Sequence, residues 1–393
     1  MVGKVAARRD RTVHMVVPAS GVIAVTYGLA RFGYGLYLPT FTADFALSRA
    51  AGGSIAAGSF AGYCLAALLA HRLVHRGQAR AALWAAAALA GTGAALVAGA
   101  WSSPSLAYGV VVAGSGSGMA SPALVAAVAA TVRRDRADRA QAVVNSGTGV
   151  GVVVAAVLVT VAPGGWRATW AGFAVAAVLV AWATDRTTTW PSARPDGSRP
   201  ATRTAMSTQL ELLRRPALAA VLAGAGSASV WTFGQDLLAT STGMSAGART
   251  ALWGVLGAAA VLGAASGDAV RRLGVPTAWT STVTITAAAS LALPHAEDSV
   301  ALAALALAGF GGAYVALSGV LIAWGARLAP HAPAQATAVL FVALAAGQAL
   351  GPLTLGMLAT TLGLAASFTA AAGLLLASAT IRPPRSPTLA LTR

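Results

Sequence analysis

Charge is what this sequence has least of. Asp, Glu, Lys and Arg make up 10% of its 393 residues, against roughly 25% in soluble domains. That is too little to cover a water-soluble fold of this length. Cysteine is almost missing too. Cys64 stands alone within an apolar run, which excludes an internal disulfide and any cysteine-built metal site. Lysine is reduced to Lys4. The 11 acids avoid the middles of the long apolar runs. The 5 histidines are scattered between those runs, so the catalytic His, Asp or Glu cluster of an integral-membrane enzyme is not expected. His71 and His75 are spaced i, i+4 but have no third ligand beside them, and no metal site is expected there.

What fills the chain instead is Ala, Gly, Val and Leu. Hydrophobic residues are 57% of the total and the mean hydropathy is +0.71. The apolar runs repeat at about the 20 residues that a hydrocarbon core requires. They predict twelve spans, at 14–38, 50–70, 81–100, 105–131, 142–162, 167–184, 216–240, 247–267, 275–293, 300–326, 336–360 and 363–381. The expected fold is therefore an all-α integral membrane protein. Its solute, if it has one, is a small molecule; its other partners are membrane lipids, and it is expected to act as a monomer. The run after Arg8-Arg9 is too long for an export signal and lacks a cleavage site before Arg31, so it reads as a retained first span.

The net charge of +16 does not point to nucleic acid. The basic residues form no face interleaved with aromatics; they sit in the segments between spans. With the N-terminus inside, every Lys and Arg falls on the inner side except Arg49, Arg167, Arg249 and the intramembrane Arg31. That asymmetry fits the positive-inside rule through all twelve spans. It predicts a multi-pass protein of the cytoplasmic membrane with both termini cytoplasmic.

The stretch 185–215, rich in Pro, Ser, Thr and Arg, reads as a cytoplasmic linker. Its end, Met206 to Arg215, suits a short amphipathic helix with Leu210, Leu212 and Leu213 against lipid. The linker divides the chain into six-span bundles at 1–184 and 216–393, and these resemble each other. His71-Arg72-Leu73-Val74-His75-Arg76-Gly77 is followed, 197 positions on, by Asp268-Ala269-Val270-Arg271-Arg272-Leu273-Gly274. Ser48 matches Ser245 at the same offset. Gly114 and Gly116 match Gly309 and Gly311, and Ala140-Gln141-Ala142 matches Ala334-Gln335-Ala336. Parallel repeats of this kind build transporters whose solute site lies between two rocking halves.

On these segments the chain resembles the major facilitator superfamily. Gly62 and the basic loop after span 2, and Gly267-Asp268 with Arg271 and Arg272 after span 8, are similar to its loop signature. Tyr27-Gly28-Leu29-Ala30-Arg31-Phe32-Gly33-Tyr34-Gly35 resembles the first span of its YbfB/YjiJ-type branch, and Trp231-Thr232-Phe233-Gly234-Gln235-Asp236 resembles a seventh-span segment of actinobacterial members. The resemblance implies transport by alternating access, with no catalysis and no resident cofactor. It implies a cytoplasmic gate formed by Gly62, Arg72, Arg76, Asp268, Arg271 and Arg272. In the first loop His71 replaces the family's Asp, so an Asp-based latch is not expected there.

Arg31 is the foremost site residue, because an arginine at mid-span costs about 2.5–3.5 kcal/mol on insertion scales. It binds an anionic group of the solute, pairs with a carboxylate that the cargo or a proton displaces, or caps helix carbonyls and holds spans together. Pro39, eight residues on, marks the outer end of span 1 and so places Arg31 within the hydrocarbon depth; Tyr27 at i−4 and Tyr34 at i+3 share its helical face. Asn145, Tyr63, Tyr108, Tyr314 and Gln348 either touch solute or tie helices together. Trp231 either anchors at the lipid interface or, with Gln235 one turn on, lines the outer cavity. Asp236 is placed at the outer end of span 7, in a gate, and is the best available acid if a proton is coupled. Gly147, Gly149 and Gly151 lack a following Lys and read as packing glycines, not a phosphate loop. Within transport, efflux of an amphipathic compound and uptake of an organic anion are both open; a ligand-binding receptor without transport is the alternative.

Overall fold

The computed structural model describes residues 2–190, 203–241, 243–263, 266–297 and 299–383. Among the described residues there are helices and no strands. The first span is one rod in three parts: α1 (Val2–Ile23), a π-helical segment (Ala24–Arg31) and α2 (Gly33–Phe45). Next in the chain come α3 (Arg49–His75), α4 (Ala79–Ala98), α5 (Ser103–Thr131), α6 (Arg134–Val161) and α7 (Trp166–Thr187). The second half holds α8 (Arg203–Ser241), α9 (Ala246–Gly263), α10 (Ser266–Ala292), α11 (Val300–Leu328), α12 (Pro333–Leu362) and α13 (Leu364–Thr380). Ten of these units are long and apolar enough to cross a membrane. The other two expected spans are α13, with 17 residues, and α10, which breaks at Gly274.

Three boundaries differ from the sequence reading. Pro39 does not end the first span; it lies inside α2, which continues to Phe45. Neighbouring helices can accommodate the lost backbone bond at an intramembrane proline. Secondly, helix enters the expected linker from both sides, since α7 reaches Thr187 and α8 starts at Arg203. The surface helix expected over 206–215 is continuous with α8. Leu213 is buried while Leu212 is exposed, and the side chain of Leu210 lies outside those described. Thirdly, the expected loop 268–274 is helical up to Gly274.

The repeat is visible in the packing. In the first half α3 packs on α5, α4 on α5 and α7, and α1 on α6 and α7. In the second, α9 packs on α11, α10 on α11 and α13, and α8 on α12 and α13. These are the same neighbour relations six spans later. The two halves meet along α3 against α12, α6 against α9, and α2 against α8. The first two of those interfaces exchange under the same pseudo-symmetry.

Local chemistry obeys the repeat. Ser48 and Ser245 each accept the backbone N–H three residues on, from Ala51 and Ala248, at 3.1 and 3.2 Å; both act as helix N-caps. Gly77 and Gly274 take φ of 74° and 72°, a region that side-chain-bearing residues avoid. Gly147 and Gly151 face the backbone at Ser20 and Ala24, while Gly347 and Gly351 face it at Val221 and Ala225. Two Gly-x-x-x-Gly stripes thus bring the first span of each half against its fifth.

Candidate solute-binding site

The π-helical segment sets the site. The N–H of Phe32 bonds the carbonyl of Tyr27 at 2.8 Å, five residues back. The wider turn adds a residue and re-aims the side chains of the next turn, at the start of α2. In α8, its counterpart, the helix is α throughout Arg203–Ser241. One consequence is that Tyr34 leaves the face expected of it. Its hydroxyl donates to the Gly52 carbonyl at 3.0 Å and its ring stacks near Phe41, away from Arg31.

Arg31 closes the segment and is 6% exposed. Its Nη2 donates to Oε1 of Gln348 at 3.1 Å, and Nε2 of Gln348 donates to the Tyr314 hydroxyl at 2.8 Å. The chain of contacts therefore crosses from the first bundle to α12 and α11 of the second. Aromatic faces surround the guanidinium carbon: Tyr63 at 4.2 Å, Phe60 at 4.5 Å, Phe32 at 5.4 Å and Tyr27 at 5.5 Å. Each such face attracts the cation through its quadrupole, by about 0.5–2 kcal/mol. The Tyr27 hydroxyl lies 2.6 Å from Ser121 Oγ and 3.3 Å from the Tyr63 hydroxyl.

No carboxylate among the described residues pairs with Arg31. The described ion pairs are Arg49–Asp236, Arg80–Asp185, Arg133–Asp135 and Arg214–Glu211. Arg31 Nε is enclosed and has no hydrogen-bond partner. A buried charge held only by neutral groups is costly.

Trp231 is not at the lipid interface. It is 2% exposed, stacks on Phe32 across the bundles at 4.0 Å, and meets Tyr314, Phe310 and Trp253 edge-on. Gln235 is turned aside, donating to the Arg249 carbonyl at 2.9 Å. Asp236 accepts from Arg49 Nε at 3.1 Å, joining α8 to the start of α3. Next to it Gly35 lies so close to the Trp231 carbonyl that a Cβ would collide with that oxygen. The two bundles thus touch at the Arg49 end of the molecule.

The remaining expected residues do not join Arg31. Asn145 accepts from Gln141 at 2.9 Å, one turn away. Gly62 packs on Ser115, inside the first bundle. Arg72, Arg76, Arg271 and Arg272 lie towards helix ends, where Arg76, Arg271 and Arg272 are exposed and Arg72 is also exposed, and the side chain of Asp268 lies outside those described. The prominent ion pair near that end is instead Arg80 with Asp185, two bonds of 2.8 Å, joined by the indoles of Trp84 and Trp190 at 3.2 and 2.7 Å. It ties α4 to α7 within one bundle. His71 and His75 hydrogen-bond each other at 2.8 Å.

Sequence reasoning missed Phe60, Phe32 and Arg49. Phe60 and Tyr63 at i, i+3 in an otherwise small-residue helix were a readable aromatic stripe. Arg49 gave no local signal, because its partner is 187 positions away.

Solved structures share this architecture at low identity. The nucleoside transporter NupG (D323A mutant) superposes with a TM-score of 0.76 at 12% identity, over 94% of this chain and 98% of that one. A D-xylose-proton symporter gives 0.73 at 16%, over 94% and 96%. A bacterial homolog of the human lysosomal transporter Spinster, inward-facing and unoccupied, gives 0.65 at 16%, over 95% and 94%. No curated protein sequence matches the chain. The fold is that of the major facilitator superfamily, twelve transmembrane helices in two pseudo-symmetric bundles. Residues 23–382 match the family model described as "Uncharacterised MFS-type transporter YbfB", and the chain belongs to that family of multi-pass membrane transporters.

Proposed function

We propose that this transporter moves a small anionic organic solute by alternating access, with Arg31 as the residue that receives the anion. The observation that carries the reading is the buried guanidinium with an unpaired Nε and no carboxylate partner among the described residues. An anionic solute removes that deficit and gains two charge-assisted bonds. Gln348 and Tyr314, from the opposite bundle, sense whether Arg31 is occupied. Tyr27 faces the guanidinium, and Trp231 packs beside it on Phe32 and Tyr314.

In this reading the linker end is cytoplasmic and the protein sits in the plasma membrane as a monomer, without a resident cofactor. The conformation described is closed at the Arg49 end, which would be the outer side. Arg49–Asp236 and the Gly35–Trp231 contact must part when the outer side opens. Asp236 is then a gate residue, not a proton carrier. Arg72, Arg76, Asp268, Arg271 and Arg272, with Gly62 spacing α3 from α5, would engage when the cytoplasmic side closes.

The test is counterflow in liposomes. Purified protein is screened with labelled organic anions, and any flux is compared between wild type, Arg31→Gln and Arg31→Lys. Loss of flux in both folded variants supports the reading. Undiminished flux in Arg31→Gln reduces Arg31 to a structural residue.

A further inference from the structure

The charge inventory of the site constrains its cargo further. Around Arg31 there is one formal charge. The groups against it are one neutral amide, Gln348, one phenol behind it, Tyr314, and the rings of Phe60, Tyr63, Phe32 and Tyr27, with the Cys64 thiol also within its electrostatic reach. Among the described residues no second cation contacts the cluster, and no carboxylate pairs with Arg31.

The interior must be closed to both sides at some point in every cycle, and then its net charge matters most. In a low-dielectric enclosure an uncompensated unit charge is strongly disfavoured, even after relaxation. A monoanion brings the loaded site to zero. A dianion leaves one negative charge facing the negative faces of the rings. A zwitterion leaves the loaded site at a net charge of +1, because its ammonium meets aromatic faces and no carboxylate among the described residues neutralises it. A neutral polyol leaves Arg31 uncompensated and finds few hydrogen-bond partners.

The walls decide the rest of the molecule. Beyond Gln348 and Tyr314 the polar atoms are the Tyr27, Tyr63 and Ser121 hydroxyls, already in contact with one another; the rest is rings, and Phe32 and Trp231 stack across the bundle interface at 4.0 Å. A flat body can replace one of those partners and keep the stacking. A bulky one forces the bundles apart. An arene carboxylate also matches the guanidinium fork, since its two oxygens lie in the ring plane and can take Nε and a terminal nitrogen side-on.

We infer that the cargo is a monoanion with a flat, apolar body, of the arene monocarboxylate class, seated on Arg31 between the aromatic faces of the two bundles. This rests on Arg31 being the solute site.

Thermal unfolding of the purified full-length protein tests it with named probes. These are benzoate, its neutral isostere benzamide, the flat dianion terephthalate, the non-aromatic cyclohexanecarboxylate, and succinate. The expected result is stabilisation by benzoate, with each other probe binding about tenfold more weakly or worse, as loss of a charged hydrogen bond or of ring stacking implies. Arg31→Gln should erase the preference for benzoate over benzamide. If terephthalate or succinate binds wild type more tightly than benzoate, and Arg31→Gln abolishes that binding, the single-charge assignment is overturned while the anion reading stands. If cyclohexanecarboxylate equals benzoate, the flat-body assignment is overturned. If no anion binds wild type in preference to benzamide, the inference and the Arg31 reading both fall, and that comparison needs no variant.

Discussion

At the scale of single residues, the sequence made Arg31 conspicuous because a mid-span arginine is costly, and its neighbours less so. Tyr27 was legible from helical spacing. Tyr34 was not, because the spacing rule assumes an α-helix and the π-helical turn broke it. Tyr63 was visible as an intramembrane tyrosine but ambiguous, since nothing local said which face of α3 met Arg31. The structure gives its ring, not its hydroxyl, the main role: the face lies 4.2 Å from the guanidinium carbon, whereas the hydroxyl makes only a 3.3 Å contact with Tyr27. Tyr63→Leu should therefore lower stability by about 0.5–2 kcal/mol, and Tyr63→Phe by clearly less. Thermal unfolding of the two variants decides it, and equal losses would transfer the role to the hydroxyl.

At the scale of elements, all twelve apolar runs became helices, because hydrophobic length is set by the bilayer and is written directly in composition. What failed was punctuation. Pro39 signals a stop in water but not within a bundle, and Gly274 marks a break that the sequence placed at the end of a loop. Of the two roles open to Trp231, the interfacial anchor failed for a related reason. Position along a helix gives depth, yet burial depends on α2, the rod that packs across from it. That packing makes Gly35 a sensitive point, since any side chain there meets the Trp231 backbone. Gly35→Val should push α2 from α8 and populate a state open at the Arg49 end. Spin labels at Ala43 and Thr240, both exposed, on a Cys64→Ser background would show a new longer-distance population. An unchanged distance distribution would mean that the neighbouring helix yields instead.

At the scale of the whole molecule, the duplicated plan was legible because repeats leave aligned residues. Ser48 with Ser245 and Gly77 with Gly274 kept both offset and role. The contacts between the halves were not legible. They join residues hundreds of positions apart and leave no pattern in either segment, as with Arg31 and Gln348 or Arg49 and Asp236. The latter pair spans the closed end, with Arg49 38% and Asp236 12% exposed. Given that exposure, it should contribute no more than about 1 kcal/mol to closure. Asp236→Asn should raise the open population by up to roughly fivefold, read with the same spin labels. Reversing the pair, Arg49→Asp with Asp236→Arg, should restore part of the closed population. No recovery in the reversed pair would show that the two residues act separately.

The central claim is that Arg31 lacks an internal counter-charge and that the solute supplies it. Gln348→Glu tests this most directly. It sets a carboxylate oxygen where the amide oxygen now accepts from Arg31 at 3.1 Å, with the Tyr314 hydroxyl turned to donate. An arginine so close keeps that carboxylate ionised at neutral pH. The account predicts a protein more stable to heat than wild type, with liposome counterflow of any transported anion reduced about tenfold or more. Counterflow at the wild-type rate in Gln348→Glu would contradict it.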